Sequence, residues 1–312
     1  MFADPFQKLI TLAAEPESME QTVCFLAGHL RTFLKRQETI LICFPHRSAD
    51  SIGALLERAA LQIECKPVFW GPDMRWKGLL RQVFSSRATA IAGPPLIILG
   101  LTKLAKAMKT PLKIRNVILA GYPSPDWMIE GIQRGLDCTI HGLFCLGMEA
   151  VVSGFSCGKS KGVHIREDIY SFETVDCHGE PLPEGMIGNV VITNRKDPSS
   201  RCVTVDRARL DSTVCTCGCG APRLMDFSPG GNVDFSLISL GETLHSWTSI
   251  LDCSVKRGDY GLEIEIITFP GEKIPKLPSC ARRVVRPWDP ETDEPFQWIP
   301  EWLDGAFYPE NH

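Results

Sequence analysis

Val117-Ile-Leu-Ala-Gly-Tyr-Pro-Ser-Pro-Asp-Trp-Met128 opens on four apolar residues, turns at Gly, Pro and Ser, and enters an amphipathic segment. Read as strand, turn and helix, it is one repeat of a pattern that the chain uses several times. Upstream, Thr39-Ile-Leu-Ile-Cys-Phe44 is a strand, 45–50 a turn and 51–61 a helix. A strand over 66–70 precedes a helix over 74–84, and a strand over 88–92 precedes a helix over 96–108. Downstream, 125–133 is helical and Thr139-Ile-His-Gly142 ends another strand. Residues 5–36 read as helix with a break at 15–18. Strands separated by helices of this length need right-handed crossovers, so the expected fold is α/β with a largely parallel sheet and flanking helices.

The pattern changes near residue 150. Short strands and turns dominate 151–223, clearest over 172–176 and 188–193, with turn chemistry in Cys177-His-Gly-Glu-Pro-Leu-Pro-Glu-Gly185 between them. A third unit is expected to hold a strand near 235–239, a helix over 242–251 and the alternating strand Gly261-Leu-Glu-Ile-Glu-Ile-Ile-Thr268. The expected organisation is an α/β domain over 1–150, a β-rich subdomain over 151–225, and a small C-terminal α+β remnant over 226–312. That remnant ends in a Pro- and acid-rich tail with Trp288, Trp298 and Trp302, expected to wrap the surface or meet a partner.

Composition is that of an ordinary globular protein: 312 residues, 44% hydrophobic, 22% charged, net charge −4. That balance gives no electrostatic reason to expect nucleic acid, which would want a basic face. No apolar run reaches the length of a bilayer span, and the first residues lack the basic-then-apolar order of a secretory signal. The expected compartment is therefore the cytoplasm, where thirteen cysteines serve as thiols and metal ligands rather than disulfides.

Two segments concentrate soft ligands: Ser-Cys157-Gly-Lys-Ser-Lys-Gly-Val-His164 and Cys215-Thr-Cys217-Gly218. Cysteines separated by one residue can face one ion from a tight turn, and thiolate with imidazole is the donor set of closed, four-coordinate structural zinc. The gaps match no common finger or ribbon pattern, so spacing alone leaves reduced, unliganded thiols as an equal reading. Cys219 and the pair Cys177–His178 are rival ligands.

A series of motifs, in order, resembles the adenylate-forming (acyl-CoA synthetase) enzymes and, within them, the phenylacetate–CoA ligase group. Residues 111–128 are similar to the strand that ends in Gly-Gly-Glu-Pro or Gly-Ala-Glu-Pro there. Gly162-Val-His-Ile-Arg-Glu-Asp168 resembles Gly-Leu-His-Ile-Trp-Glu-Asp, and Gly179-Glu-Pro-Leu-Pro-Glu-Gly-Met-Ile-Gly-Asn-Val-Val-Ile-Thr193 continues the match. Cys215-Thr-Cys-Gly218 with Pro222-Arg-Leu224 resembles Cys-Pro-Cys-Gly-Arg-Thr and the following Pro-Arg-Ile. The resemblance covers about residues 20 to 250. It implies part of the adenylate-forming large domain with a reduced lid, and zinc on Cys157, His164, Cys215 and Cys217. It also implies a small acyl or aryl ligand near His46, Gly121, Tyr122, Pro123, His141, Gly142 and Phe144, at the carboxyl ends of parallel strands.

The same resemblance implies chemistry that this chain lacks residues for. The Ser/Thr/Gly-rich phosphate loop would fall in 1–18, which holds no glycine. Tyr-Gly-Leu-Ser/Thr-Glu, whose hydroxyl meets phosphate and whose glutamate binds magnesium, reads His141-Gly-Leu-Phe144-Cys145 here, with Glu149 as a distant substitute. The ribose-binding aspartate aligns with Arg209, although Asp206 and Asp211 are close by; Tyr122 replaces the motif glutamate; and the hinge reads Ser228-Pro-Gly-Gly-Asn-Val-Asp234, without arginine. ATP, AMP, magnesium and CoA binding are thus doubtful. The expectation is a ligase-like protein that has shed adenylation and acts as a binding or accessory protein. The alternative is a working AMP-forming acid–CoA ligase or acyl transferase, completed by a partner chain that supplies the phosphate loop.

A thiol nucleophile from Cys145 with His141 or His46 as base is disfavoured, because a cysteine in an apolar segment is usually core packing. His29 and His245 read as ordinary surface or packing residues. Without a preceding subdomain, the sheet needs cover from the first helix, the Trp-rich tail, or a second copy of the chain in a homodimer.

Overall fold

Ile40 and Ile42 face one side of the central sheet and Leu41 and Cys43 the other, and all four are buried. This two-sided burial is why the strands read as unbroken apolar runs rather than alternating ones. The computed structural model describes residues 5–296, apart from 45, 47, 72, 121–123, 147–150, 158–160, 230–234, 275, 278 and 281. Two helices come first, α1 (Pro5–Ala13) and α2 (Pro16–Leu30), each opened by proline, whose missing N–H costs nothing in a first turn. The break between them covers 14–15, meeting the expected 15–18 only at Glu15, and α2 ends at Leu30 rather than at 36.

Then β1 (Thr39–Ile42), α3 (Ile52–Gln62), β2 (Lys66–Phe69), α4 (Trp76–Ser86), β3 (Ala90–Gly93), α5 (Pro95–Ala107), β4 (Asn116–Ala120), α6 (Asp126–Leu136) and β5 (Thr139–Leu146) alternate along the chain. Their strands lie in the order β2-β1-β3-β4-β5, all parallel. Residues of α2 and α3 share one core with Ile40, Ile42, Ile118 and Leu143. Those of α4, α5 and α6 share the other with Leu41, Ile91, Val117 and Leu119. Helices therefore clothe both faces, as right-handed crossovers require.

Past β5 the sheet continues without interruption through β6 (Val151–Phe155), β7 (Val163–Ile165), β11 (Arg223–Pro229), β10 (Cys202–Asp211), β9 (Gly188–Asn194) and β8 (Tyr170–Val175). Every neighbour from β5 onward is antiparallel. The strands of the strand–helix alternation are parallel as expected; the unexpected feature is that the β-rich region extends the same sheet, which is therefore mixed over its eleven strands. No α-helix is described between these strands, and antiparallel neighbours, unlike parallel ones, need no helical crossover.

The C-terminal unit corrects a second expectation. A single helix, α7 (Phe235–Ser246), replaces the strand expected near 235–239, and β12 (Ile250–Gly258) begins where helix was expected to run to 251. Leu237, Leu240 and Leu244 recur at helical spacing and pack on Val255, Ile264 and Ile266. The local density of apolar residues imitates a strand, but the stripe is helical. Strand β12 pairs antiparallel with β13 (Gly261–Thr268), which pairs in parallel with β14 (Arg282–Pro287).

Cover for the sheet comes from within the chain on both faces. Leu9 and Ala13 of α1 are buried with Val151, Val190 and Ile192, while Trp288 and Phe296 pack against the opposite core. Trp298 and Trp302 lie outside the described residues. Among the described residues no helix is long and apolar enough to cross a membrane.

Candidate metal centre

Strand β7 is the hub of the soft-ligand cluster. His164 stands opposite Phe155 of β6 on one side and Arg223 of β11 on the other. Two residues beyond Phe155 the chain reaches Cys157, and the connection from β10 to β11 carries Cys215 and Cys217 to the same spot. Adjacent strands thus deliver ligands that are some fifty residues apart in sequence. Two glycines make the approach possible. Gly218, immediately after Cys217, has φ +85°, a left-handed turn that closes the Cys-Thr-Cys loop. Gly162, two residues before His164, has φ +91°, and a Cβ there would collide with Met225 and lie 2.7 Å from the Leu224 carbonyl oxygen.

The ligand atoms of Cys157, His164, Cys215 and Cys217 all lie within 4.8 Å of one another, close enough to hold one metal ion. Cys157 Sγ is 3.7 Å from Cys215 Sγ, and Cys217 Sγ is 3.4 Å from His164 Nε2. A tetrahedron with metal–sulfur bonds of about 2.3 Å and a metal–nitrogen bond of about 2.0 Å has edges of about 3.8 and 3.5 Å. The observed separations fit it. Outer contacts fit as well. His164 Nδ1 lies 3.0 Å from the Ala221 carbonyl oxygen, which leaves Nε2 directed at the sulfurs. The backbone N–H of Cys217 donates to Cys215 Sγ at 3.5 Å, and that of Cys219 to Cys217 Sγ at 3.3 Å.

Without an ion the cluster is awkward electrostatically. Burial pushes the Cys217 thiol up to about 11, only partly opposed by the Cys219 N–H. For His164, burial lowers the pKa but the Ala221 carbonyl and the Cys157 and Cys215 thiols outweigh it, and the net direction is up. A bound cation reverses this balance by stabilising thiolates directly. The rival ligands stand apart from the group: Cys219 is exposed, and Cys177–His178 belong to a turn in which the His178 N–H donates to Asp176.

The positions implied for a ligand pocket are dispersed. Gly121, Tyr122, Pro123 and Glu149 lie outside the described residues. His46 follows β1, bonds Glu57 at 2.9 Å and meets the Phe69 ring edge-on at 4.8 Å. It lies beside the point where the order β2-β1-β3 reverses direction, the usual ligand crevice of an open α/β sheet. His141 is buried, stacked on Phe33 at 3.7 Å with Nε2 3.2 Å from Asn116 Oδ1. Its backbone neighbour Gly142 donates to Ser156 Oγ at 2.6 Å. Phe144 packs on Phe227 with ring centroids 5.2 Å apart. Cys145 is buried in the core, and burial raises its thiol to about 12, away from the thiolate that a nucleophile needs. Arg209 is paired with Asp226 at 2.5 Å, while burial raises the nearby Asp206 to about 6. His29 stacks on Phe155 at 4.3 Å and His245 is buried; both are packing residues.

No family model matches the sequence, and no curated protein matches it. Solved structures do match in fold. A crystal structure of 2-hydroxyisobutyryl-CoA ligase in the postadenylation state superposes with TM-score 0.64 and 14% identity, over 81% of this chain and 59% of that one. A benzoate CoA ligase from Burkholderia xenovorans LB400 gives TM-score 0.54 and 13% identity, over 85% and 60%. The amide bond synthetase McbA from Marinactinospora thermotolerans gives 0.52 and 14%, over 91% and 64%. The chain spans about three fifths of the length of these structures, and the likeness is to the acyl-CoA ligase fold.

Proposed function

We propose that the chain takes part in AMP-forming acid–CoA ligase chemistry. It would be the portion of such a ligase that carries the mixed sheet and a structural zinc, with ATP phosphates held by another segment or a partner chain. The observation that carries this reading is the fold match to a solved acyl-CoA ligase at TM-score 0.64. The finer assignment to the phenylacetate–CoA ligase group rests on the ordered motifs and the soft-ligand set. An acyl or aryl acid would sit at the carboxyl ends of β1, β3 and β4, near His46. Zinc on Cys157, His164, Cys215 and Cys217 would have no open position and therefore no catalytic role. All thirteen cysteines are unbridged, which supports a reducing compartment, and the cytoplasm is the proposed one.

The test is acid-dependent ATP–pyrophosphate exchange and acyl-CoA formation, assayed with the chain alone and with proteins that co-purify with it. Exchange that requires the co-purifying protein supports the ligase reading, and absence in both preparations overturns it. A second reading, a binding or accessory protein without adenylation, has one observation in its favour. Phe144 packs on Phe227 and Cys145 is core, where the resemblance implies a phosphate-touching hydroxyl and a magnesium-binding glutamate.

A further inference from the structure

Lys103 lies in α5, buried between the large sheet and the three-stranded one. Its ammonium donates to the His245 carbonyl at 2.6 Å and to the Ile250 carbonyl at 2.8 Å. These are the last turn of α7 and the first residue of β12, where helix-end carbonyls otherwise lack partners. Two residues along β12, the buried carboxylate of Asp252 accepts from the N–H of Cys253 and from that of Phe296, both at 2.9 Å. The segment leading to Phe296 is fastened at a second point. The Asp293 carbonyl accepts from the Trp76 N–H, at the start of α4, at 3.0 Å. The Asp293 carboxylate accepts from Arg286 of β14 at 2.6 Å and from the Asp289 N–H at 2.7 Å. Between these polar points Leu251, Ile267, Phe269 and Trp288 fill the apolar layer beneath α4 and α5.

We propose that Lys103 and the strap 288–296 form a latch that holds α7, β12, β13 and β14 onto α4 and α5, so that the C-terminal unit moves with the large sheet as one body instead of rotating as a lid. Separation would strand a buried ammonium and two carbonyls, break the Trp76–Asp293 backbone bond and expose a continuous apolar layer, while Asp252–Phe296 and Arg286–Asp293 keep the strap on β12 and β14. No single contact decides the outcome, because opening must break all of them together. On this proposal the unit expected as a reduced lid would act as a fixed wall. The latch stands independently of the ligase reading, since it depends only on contacts within the fold.

Hydrogen exchange on the full chain tests it, comparing amides of α7, β12 and β13 with those of β3 and β4 across a urea series. The expected result is one shared opening for both sets in the native chain. In Lys103→Met, and separately in Trp288→Ala, which removes part of the apolar layer, the α7–β13 amides should exchange at least about tenfold faster while β3 and β4 stay protected. Independent opening of the C-terminal unit in the native chain would overturn the latch. So would unchanged exchange in Trp288→Ala, the variant that decides the matter if Lys103→Met does not fold.

Discussion

The Nδ1 atom of His164 is held 3.0 Å from the carbonyl oxygen of Ala221. A carbonyl can only accept, so the ring proton belongs on Nδ1 and the lone pair on Nε2 faces Cys217 Sγ. The tautomer required for a metal ligand is thus fixed before any ion arrives, by a residue that contributes only its backbone. The same connection also supplies N–H donors to two of the sulfurs, so ligands and outer shell come from one loop.

Purified without chelator, the chain is expected to carry about one zinc per molecule, and Cys215→Ser or His164→Gln to lose it. Ladder bonds of β6, β7 and β11 persist without metal, so the stability loss should be a few kcal/mol rather than the ~10–16 kcal/mol of isolated fingers. Elemental analysis and thermal melts check both parts. Native metal content in Cys215→Ser, with an unchanged melting temperature, would refute the assignment.

The two glycines should separate strain from collision. At Gly218 a Cβ meets nothing within 4 Å, so Gly218→Ala should cost only the left-handed backbone penalty, about 1–2 kcal/mol. At Gly162 the added carbon also meets the Leu224 carbonyl, so Gly162→Ala should cost clearly more and weaken metal retention by displacing β7. Urea titration with a zinc-competition assay measures both. Equal costs would mean that β7 is not held as tightly as this geometry requires.

Much of this was legible in the sequence, and the failures have physical causes. The strand–helix alternation from Thr39 to Gly142 is readable because each buried strand and its following helix carry distinct apolar patterns. Cys157, His164, Cys215 and Cys217 were legible as a set. Ala221 and the Cys219 N–H were not, because backbone groups leave no mark in residue identity; Gly218 was the one hint of the tight turn. Arg166 was also missed. Its buried guanidinium donates to Thr22 and the Val152 carbonyl, pairs with Asp168 at 2.9 Å and lies 4.5 Å over the Phe25 ring. Nothing local distinguishes such an arginine from an exposed one. The helix α7 was misread because its apolar residues crowd within one stretch, and only packing against β12 and β13 reveals their period.

The chain alone is expected to show no acid-dependent ATP–pyrophosphate exchange above a heat-killed control. Phe144 offers no hydroxyl, Cys145 is a buried thiol, and Arg209 is already neutralised by Asp226. Adenylyl transfer depends on preorganised charge around phosphate, and those positions supply none. Exchange by the isolated chain would reopen Asp206 and Glu149 as candidates.

Acid should destabilise the fold through buried histidines, with a sign that can be worked out. Burial first, and the neighbouring His29 second, lower His141 to about 4; burial, then the Lys103 charge, lowers His245 to about 3. Both fall below the ordinary value of about 6.5, so the unfolded chain binds more protons as pH drops below that value. Their contribution is complete above about pH 6.5 and is lost as pH falls through 4. For His141, only 7% exposed, the loss is on the order of 3 kcal/mol. Asp252 and Asp206 act in the opposite sense. Burial raises them to about 7 and about 6, so their contribution is present below the ordinary carboxylate range and is lost as pH rises through those values. The bare acid limb therefore mixes both signs, and a difference measurement is needed. His141→Phe keeps the stack on Phe33 but cannot titrate; its stability is expected to be lower at pH 7.5, where the Asn116 contact is lost, and flatter between pH 6.5 and 4. Urea denaturation at half-unit pH steps reads this directly. If the native and His141→Phe curves run parallel through that window, burial of His141 is not what makes the fold acid-sensitive.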